Sequence, residues 1–239
     1  MQSLARRIGF WSSSAAALMF LVFTGCFIAI LVANPLFMWA DLADYVTYRE
    51  AHTAMFASVA QAAMLAFGVL YVLILHCLLE VSAVQQQFFV RSAISFAVCF
   101  ATLTSMHYFV QISAVRMNIE QGTVQGLEQF LQAKPDSALA AINMLGWTVF
   151  FGGSSLLVAP ALGGNRLGTA IRWLFWVNGV CCLLAGIGYV LNWVVLVFLT
   201  MNLGMGSAVT ALTILLAVYF RRQDAMVSQP GKSAELRQA

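Results

Sequence analysis

The sequence predicts an all-α, polytopic membrane protein: a transmembrane helix bundle of six spans with both termini in the cytoplasm. Three observations predict it. Charged residues are only 9% of the 239-residue chain and apolar residues are 62%. The apolar residues gather into long runs, and the basic residues fall on alternate connections between those runs. A soluble domain carries about a quarter charged residues. A water-facing surface cannot be made from so few, so the apolar excess faces lipid.

Runs of about 20 apolar residues mark spans, because roughly 30 Å of hydrocarbon needs that many residues at helical rise. Six lie near 10–33, 55–78, 92–114, 139–160, 169–189 and 193–219. The last two are separated by argument, since no charged residue lies between Arg172 and Arg221. One helix joining them would be about 73 Å long, more than twice the hydrocarbon thickness. The chain therefore reverses, and Gly188-Tyr189-Val190-Leu191-Asn192-Trp193 supplies a glycine and an asparagine for the turn and aromatics for an interface.

Charge placement sets the orientation. Arg6, Arg7, Arg91, Arg166, Arg172, Arg221, Arg222, Lys232 and Arg237 fall on one side, against Arg49, Arg116 and Lys134 on the other. Basic residues stay in the cytoplasm, so both ends are expected there, in the plasma membrane, which is the inner membrane of a bacterium. The acids lean the other way, with Asp41, Asp44, Glu50, Glu120, Glu128 and Asp136 outside and Glu80, Asp224 and Glu235 inside. Residues 1–222 read as a single six-helix domain, and the polar segment 223–239, with Pro230-Gly231, as a disordered cytoplasmic tail. Arg6-Arg7 before an apolar run resembles a signal peptide, and Phe23-Thr24-Gly25-Cys26 loosely matches a lipoprotein cleavage box. The apolar run continues to Phe37, however, which favours an uncleaved first helix.

Several chemistries are excluded or disfavoured. The Lys and Arg residues form no basic stripe interleaved with aromatics, so nucleic acid is not an expected partner; the bilayer is. Cys26, Cys77, Cys99, Cys181 and Cys182 all lie within apolar runs without zinc-site spacing and read as small apolar residues. The only lysines, Lys134 and Lys232, lie outside the spans, which excludes a retinal Schiff base. No Asp or Glu lies in mid-span, which argues against a carrier driven through a buried carboxylate. There is no phosphate-binding glycine loop, dinucleotide fingerprint or nucleophile elbow.

The third span holds the most informative polar group. Thr104, His107, Tyr108 and Gln111 recur at three- and four-residue spacing and share one helical face. Polar side chains within a span face the protein interior or a water-filled cavity. The stripe continues to Arg116, and Asn143 at the start of the fourth span lies at the same depth. These six are the candidate ligand-binding residues. Asp41, Asp44, His52 and His107 are weak candidates for a divalent metal, since no compact histidine pair accompanies them. A haem is disfavoured because only His52 and His107 share a depth. No cofactor is otherwise indicated.

The long outer connections, near 38–54 and 115–138, read as short amphipathic helices, from Leu42, Tyr45, Val46 and Arg49 in the first and Val124, Leu127, Phe130 and Leu131 in the second. Asp136 or Ser137 is expected to cap the fourth span. Asn143, Asn178, Asn192 and Asn202 suit hydrogen bonds between helices. Gly152-Gly153-Ser154-Ser155, Gly179, Gly186, Gly204 and Gly206 suit close packing, within the chain or between copies or partners. Asn202-Leu203-Gly204-Met205-Gly206 could also loosen the sixth span near mid-membrane. The leading functional expectation is small-molecule binding or transport through an outward-facing polar pocket. The alternatives are a non-catalytic subunit or assembly partner, and a membrane enzyme acting on a lipid or apolar substrate at the outer leaflet with His107 as acid or base.

Overall fold

A computed structural model describes residues 2–34 and 37–228, with side chains to Ala225. Among the described residues there are seven helices and no strand. Six of the helices are long and apolar enough to cross a membrane: α1 (Gln2–Ala33), α3 (Met55–Val81), α4 (Val84–Glu120), α5 (Ala138–Ala161), α6 (Arg166–Val190) and α7 (Val194–Ala225). The seventh, α2 (Leu42–Ala51), lies in the first long connection. Each expected span is present. The last helix runs on to Ser228, so the polar tail begins as helix, because Arg221-Arg222-Gln223-Asp224-Ala225 contains no residue that breaks one. The rest of the tail, with Lys232, Glu235 and Arg237, lies outside the described residues.

Consecutive spans pack side by side, and α7 returns to α1, closing a ring of six helices. The core lies within that ring. Phe67 and Tyr71 of α3, Phe100 of α4, and Trp147 and Phe151 of α5 form one aromatic cluster, with Phe100 and Phe151 centroids 4.7 Å apart. Large apolar side chains such as Leu21, Ile28, Val69, Phe109, Ile187 and Leu203 are exposed on the outside of the ring, as a lipid-facing surface requires. We therefore read the chain as a multi-pass membrane protein.

Glycines set the closest approaches. A Cβ on Gly152 would stand 2.8 Å from Cys182 Cβ, and one on Gly186 3.0 Å from Thr148 Cβ, so α5 and α6 meet almost backbone to backbone. The reversal between α6 and α7 falls where expected. Asn192 takes a left-handed backbone (φ 51°) and the Trp193 amide donates to the Gly188 carbonyl at 2.7 Å, a conformation asparagine tolerates better than most residues.

The two long connections form a cap on the end of the bundle remote from the termini. Asp41 caps α2, its Oδ1 accepting from the Asp44 amide at 2.9 Å. Tyr45, Val115, Leu127 and Leu131 are buried together there, with Trp39, Leu42 and Val124 packed around them. The second connection is not the amphipathic α-helix expected. Only Leu127–Phe130 forms a 3₁₀ turn, entered from Gly126 in a left-handed conformation. With Gly122 and Gly126 bracketing Thr123–Gln125, no stretch is long enough to propagate a helix. Ser137, not Asp136, caps α5, accepting from the Ala140 amide at 3.1 Å.

Candidate functional site

Three spans depart from α-helical bonding, two in the half nearer the cap and one at mid-span. Gln111–Val115 of α4, Gly146–Phe151 of α5 and Leu199–Met205 of α7 are π-helical turns. Each admits an extra residue and rotates the side chains beyond it, a device concentrated at functional sites. The turn in α7 covers most of the segment flagged in the sequence as a place where the span could loosen. Gly204 also packs there: its Cβ position lies 2.5 Å from Cys181 Sγ.

Two of the three turns border a cavity of about 620 Å³ between α1, α5 and α7. Phe20, Phe23 and Phe27 of α1, Met144 and Trp147 of α5, and Met201, Met205 and Ile214 of α7 make its wall mostly apolar. Met64 of α3 and Tyr108 of α4 also line it. The mouth is located by the lining residues that are exposed: Thr24 and Phe27 on α1, Asn202, Ser207 and Ile214 on α7. All five lie within the spans, so the cavity opens through the flank of the bundle between α1 and α7. No cap residue lines it.

Most polar groups of the wall are satisfied on their own helix. Thr24 Oγ1 donates to the Phe20 carbonyl at 2.9 Å, Thr210 Oγ1 to Gly206 at 2.9 Å and Asn202 Nδ2 to Phe198 at 3.2 Å. The Ser207 hydroxyl bonds the Leu203 carbonyl. Asn143 differs, because its Oδ1 is buried and has no hydrogen-bond partner. The Tyr108 phenol lies beside Asn143 and Trp147. A buried amide oxygen left unpaired costs on the order of 1 to 3 kcal/mol, so one residue of the wall carries an unsatisfied acceptor just behind the cavity surface.

The six residues singled out in the sequence divide between four places. Tyr108 and Asn143 are on the cavity wall. His107 and Gln111 hold the second connection instead. His107 Nδ1 lies 3.1 Å from the Leu139 carbonyl oxygen, Gln111 Nε2 donates to the Phe130 carbonyl at 2.5 Å, and Gln111 Oε1 accepts from the Gln132 amide at 3.3 Å. Gln61 of α3 and Tyr189 of α6 fasten the same connection, to Gln132 at 2.8 Å and to the Pro135 carbonyl at 2.6 Å. Thr104 is fully buried and donates to the Phe100 carbonyl at 2.8 Å. Arg116 is on the surface, paired with Glu120 at 3.0 Å.

The weak metal candidates do not converge. Asp41 is a helix cap, His52 stacks on Tyr48 with its Nδ1 2.9 Å from the Tyr48 carbonyl oxygen, and His107 is fully buried with its Nδ1 against the Leu139 carbonyl of α5. Among the described residues no three His, Cys, Asp or Glu side chains gather. His52, Arg49 and Asn34 line a smaller hollow of about 220 Å³ beneath α2.

The sequence reading missed the hydrophobic wall. Phe20, Phe23 and Phe27 do recur at three- and four-residue spacing, which places them on one face of α1, but in an apolar span such a stripe is indistinguishable from lipid-facing surface. No known family model matches the chain, and comparison with curated proteins and with solved structures finds none similar to it.

Proposed function

We propose that this is a plasma-membrane protein, with both ends in the cytoplasm, that binds an apolar small molecule carrying one hydrogen-bond-donating group. The orientation is supported by nine basic residues on the connections and tails of one side against three on the other. The binding reading is carried by one observation, the 620 Å³ cavity whose mostly apolar wall includes Asn143, a residue with a buried and unpartnered amide oxygen. That volume lies within the roughly 300–1,000 Å³ of small-molecule sites, which are mostly apolar with a few placed polar groups.

The mouth between α1 and α7 defines the route. A ligand enters sideways from the bilayer, its apolar body against the phenylalanines of α1 and the methionines of α7. Its hydroxyl or N–H donates to Asn143 Oδ1. The cap plays no part in entry; it closes the adjoining end of the bundle against water.

Trp147 in the wall provides the test. The protein is reconstituted in nanodiscs and titrated with a bromine-terminated long-chain alcohol, whose bromine quenches a nearby indole. Saturable quenching that disappears in Trp147→Phe is expected. Ala211→Trp, which fills the cavity, should abolish the saturable component, and Asn143→Leu should weaken binding about tenfold, the value of one buried hydrogen bond. Equal quenching by the alcohol in the parent and in Ala211→Trp, with both folded, would show that the cavity is not the site.

A further inference from the structure

At the end of the bundle opposite the cap, α1 and α7 part to leave a cleft of about 390 Å³. Arg6, Arg7 and Arg221 line it, against a single carboxylate, Asp224. Its floor is the Phe220 ring, fully buried, which approaches α1 closely because position 9 is glycine: a Cβ there would stand 2.7 Å from the ring. Trp11, largely exposed, forms its rim on the apolar side.

Arg6 is the residue that needs explaining. The residue is only 9% exposed, and its Nη2 donates to Gln2 Oε1 on the same helix at 3.3 Å. Its Nε is buried without a partner. A buried, always-charged guanidinium with an unused donor is costly unless an anion completes it. Arg7 and Arg221 add charge around the same space. The three arginines sit where the apolar runs of α1 and α7 end, the level at which a bilayer crossed by those runs would present its phosphates. Arginine, with a rigid fork of donors, suits phosphate oxygens.

We infer that this cleft is a binding site for the phosphate group of an anionic phospholipid, with Arg6, Arg7 and Arg221 on the phosphate oxygens and the acyl chains passing Trp11 into the bilayer. Basic pockets between membrane helices hold anionic headgroups in this way. The inference is independent of the ligand cavity, which lies in the other half of the bundle and shares no residue with it.

The protein is purified in mild detergent and retained lipids are measured by native mass spectrometry after addition of phosphatidylglycerol, phosphatidylcholine or inorganic phosphate. Phosphatidylglycerol is expected to be retained and to raise the melting temperature, while phosphatidylcholine and inorganic phosphate do neither. Arg7→Gln and Arg221→Gln, both at exposed positions that should not disturb folding, are expected to weaken phosphatidylglycerol binding by about fivefold each. Arg6→Gln should remove it, and Arg6→Lys should restore only part, since an ammonium lacks the fork. Equal retention of the two phospholipids, an unchanged affinity in the Arg7→Gln/Arg221→Gln double variant, or protection by inorganic phosphate equal to that by the lipid would each overturn the assignment.

Discussion

The Nδ1 atom of His107 lies 3.1 Å from the carbonyl oxygen of Leu139, joining the third span to the first turn of the fourth. A carbonyl can only accept, so Nδ1 carries the proton and Nε2 is left as an acceptor, buried and unpartnered. This is a fastening between helices, with Gln132 of the connection lying alongside the ring. His107→Phe is therefore expected to fold but to lose about 1 to 3 kcal/mol of stability, read as a lower melting temperature in detergent. Because His107 is not on the cavity wall, quenching of Trp147 by the brominated alcohol should persist in the folded variant. Loss of quenching with an unchanged melting temperature would return His107 to the binding site.

The cap should loosen in alkali. Tyr45 is buried in the cap cluster, and burial pushes its phenol above the ordinary value near 10, with the neighbouring Arg49 offsetting part of the rise. The unfolded phenol ionises first as pH increases. Stability from this group is thus fully present below about pH 10 and falls as pH climbs from there towards the raised folded value. Trp39 packs against Tyr45, with ring centroids 6.0 Å apart, and reports the change by fluorescence. Tyr45→Phe, which has no proton to lose, should keep the cap's signal flat across the range where the parent's moves.

Two glycines in the spans should respond in opposite ways to alanine. Gly152 faces Cys182 Cβ at 2.8 Å and the Gly179 carbonyl at 3.3 Å from its Cβ position, so a methyl there must push α5 from α6. Overpacking of this kind costs about 1 to 3 kcal/mol. Gly25 in α1 has nothing within 4 Å, and Gly25→Ala should be neutral or stabilising by up to about 1 kcal/mol, the helix-propensity difference. Thermal melts of the two variants in one detergent make the comparison.

The six spans were legible because lipid imposes a length and a composition on each of them. The Gly188–Trp193 reversal was legible because a helix cannot exceed the bilayer it crosses. The site was legible only in part. Tyr108 and Asn143, marked because polar residues in a span must face inward, do line the cavity. His107 and Gln111 obey the same rule, yet their partners are backbone carbonyls and amides of residues 130–139, which no side-chain pattern announces. The phenylalanines and methionines of α1 and α7 carried no signal, since a lipid-facing stripe and a cavity-lining stripe use the same residues at the same spacing. Of the π-helical turns, only that in α7 coincides with a segment marked in the sequence, the Asn202–Gly206 stretch.

A buried polar network in the other half of the core provides the remaining prediction. Asn178 Nδ2 on α6 donates to Ser155 Oγ on α5 at 2.7 Å, and both residues are fully buried. Beside it Ser154 Oγ donates to the Ala93 carbonyl at 2.9 Å, which uses its only proton, so the Tyr71 hydroxyl at 3.1 Å must donate to Ser154. These bonds hold α3, α4, α5 and α6 together without any charge. Asn178→Leu leaves the Ser155 hydroxyl without its donor and Ser155→Ala leaves the amide without its acceptor, so each should destabilise. The double variant should cost less than the sum, by about 0.6 to 2 kcal/mol, the range for hydrogen bonds between membrane helices. A double-mutant cycle on unfolding in detergent measures that difference, and strict additivity would mean that the two side chains do not share a bond.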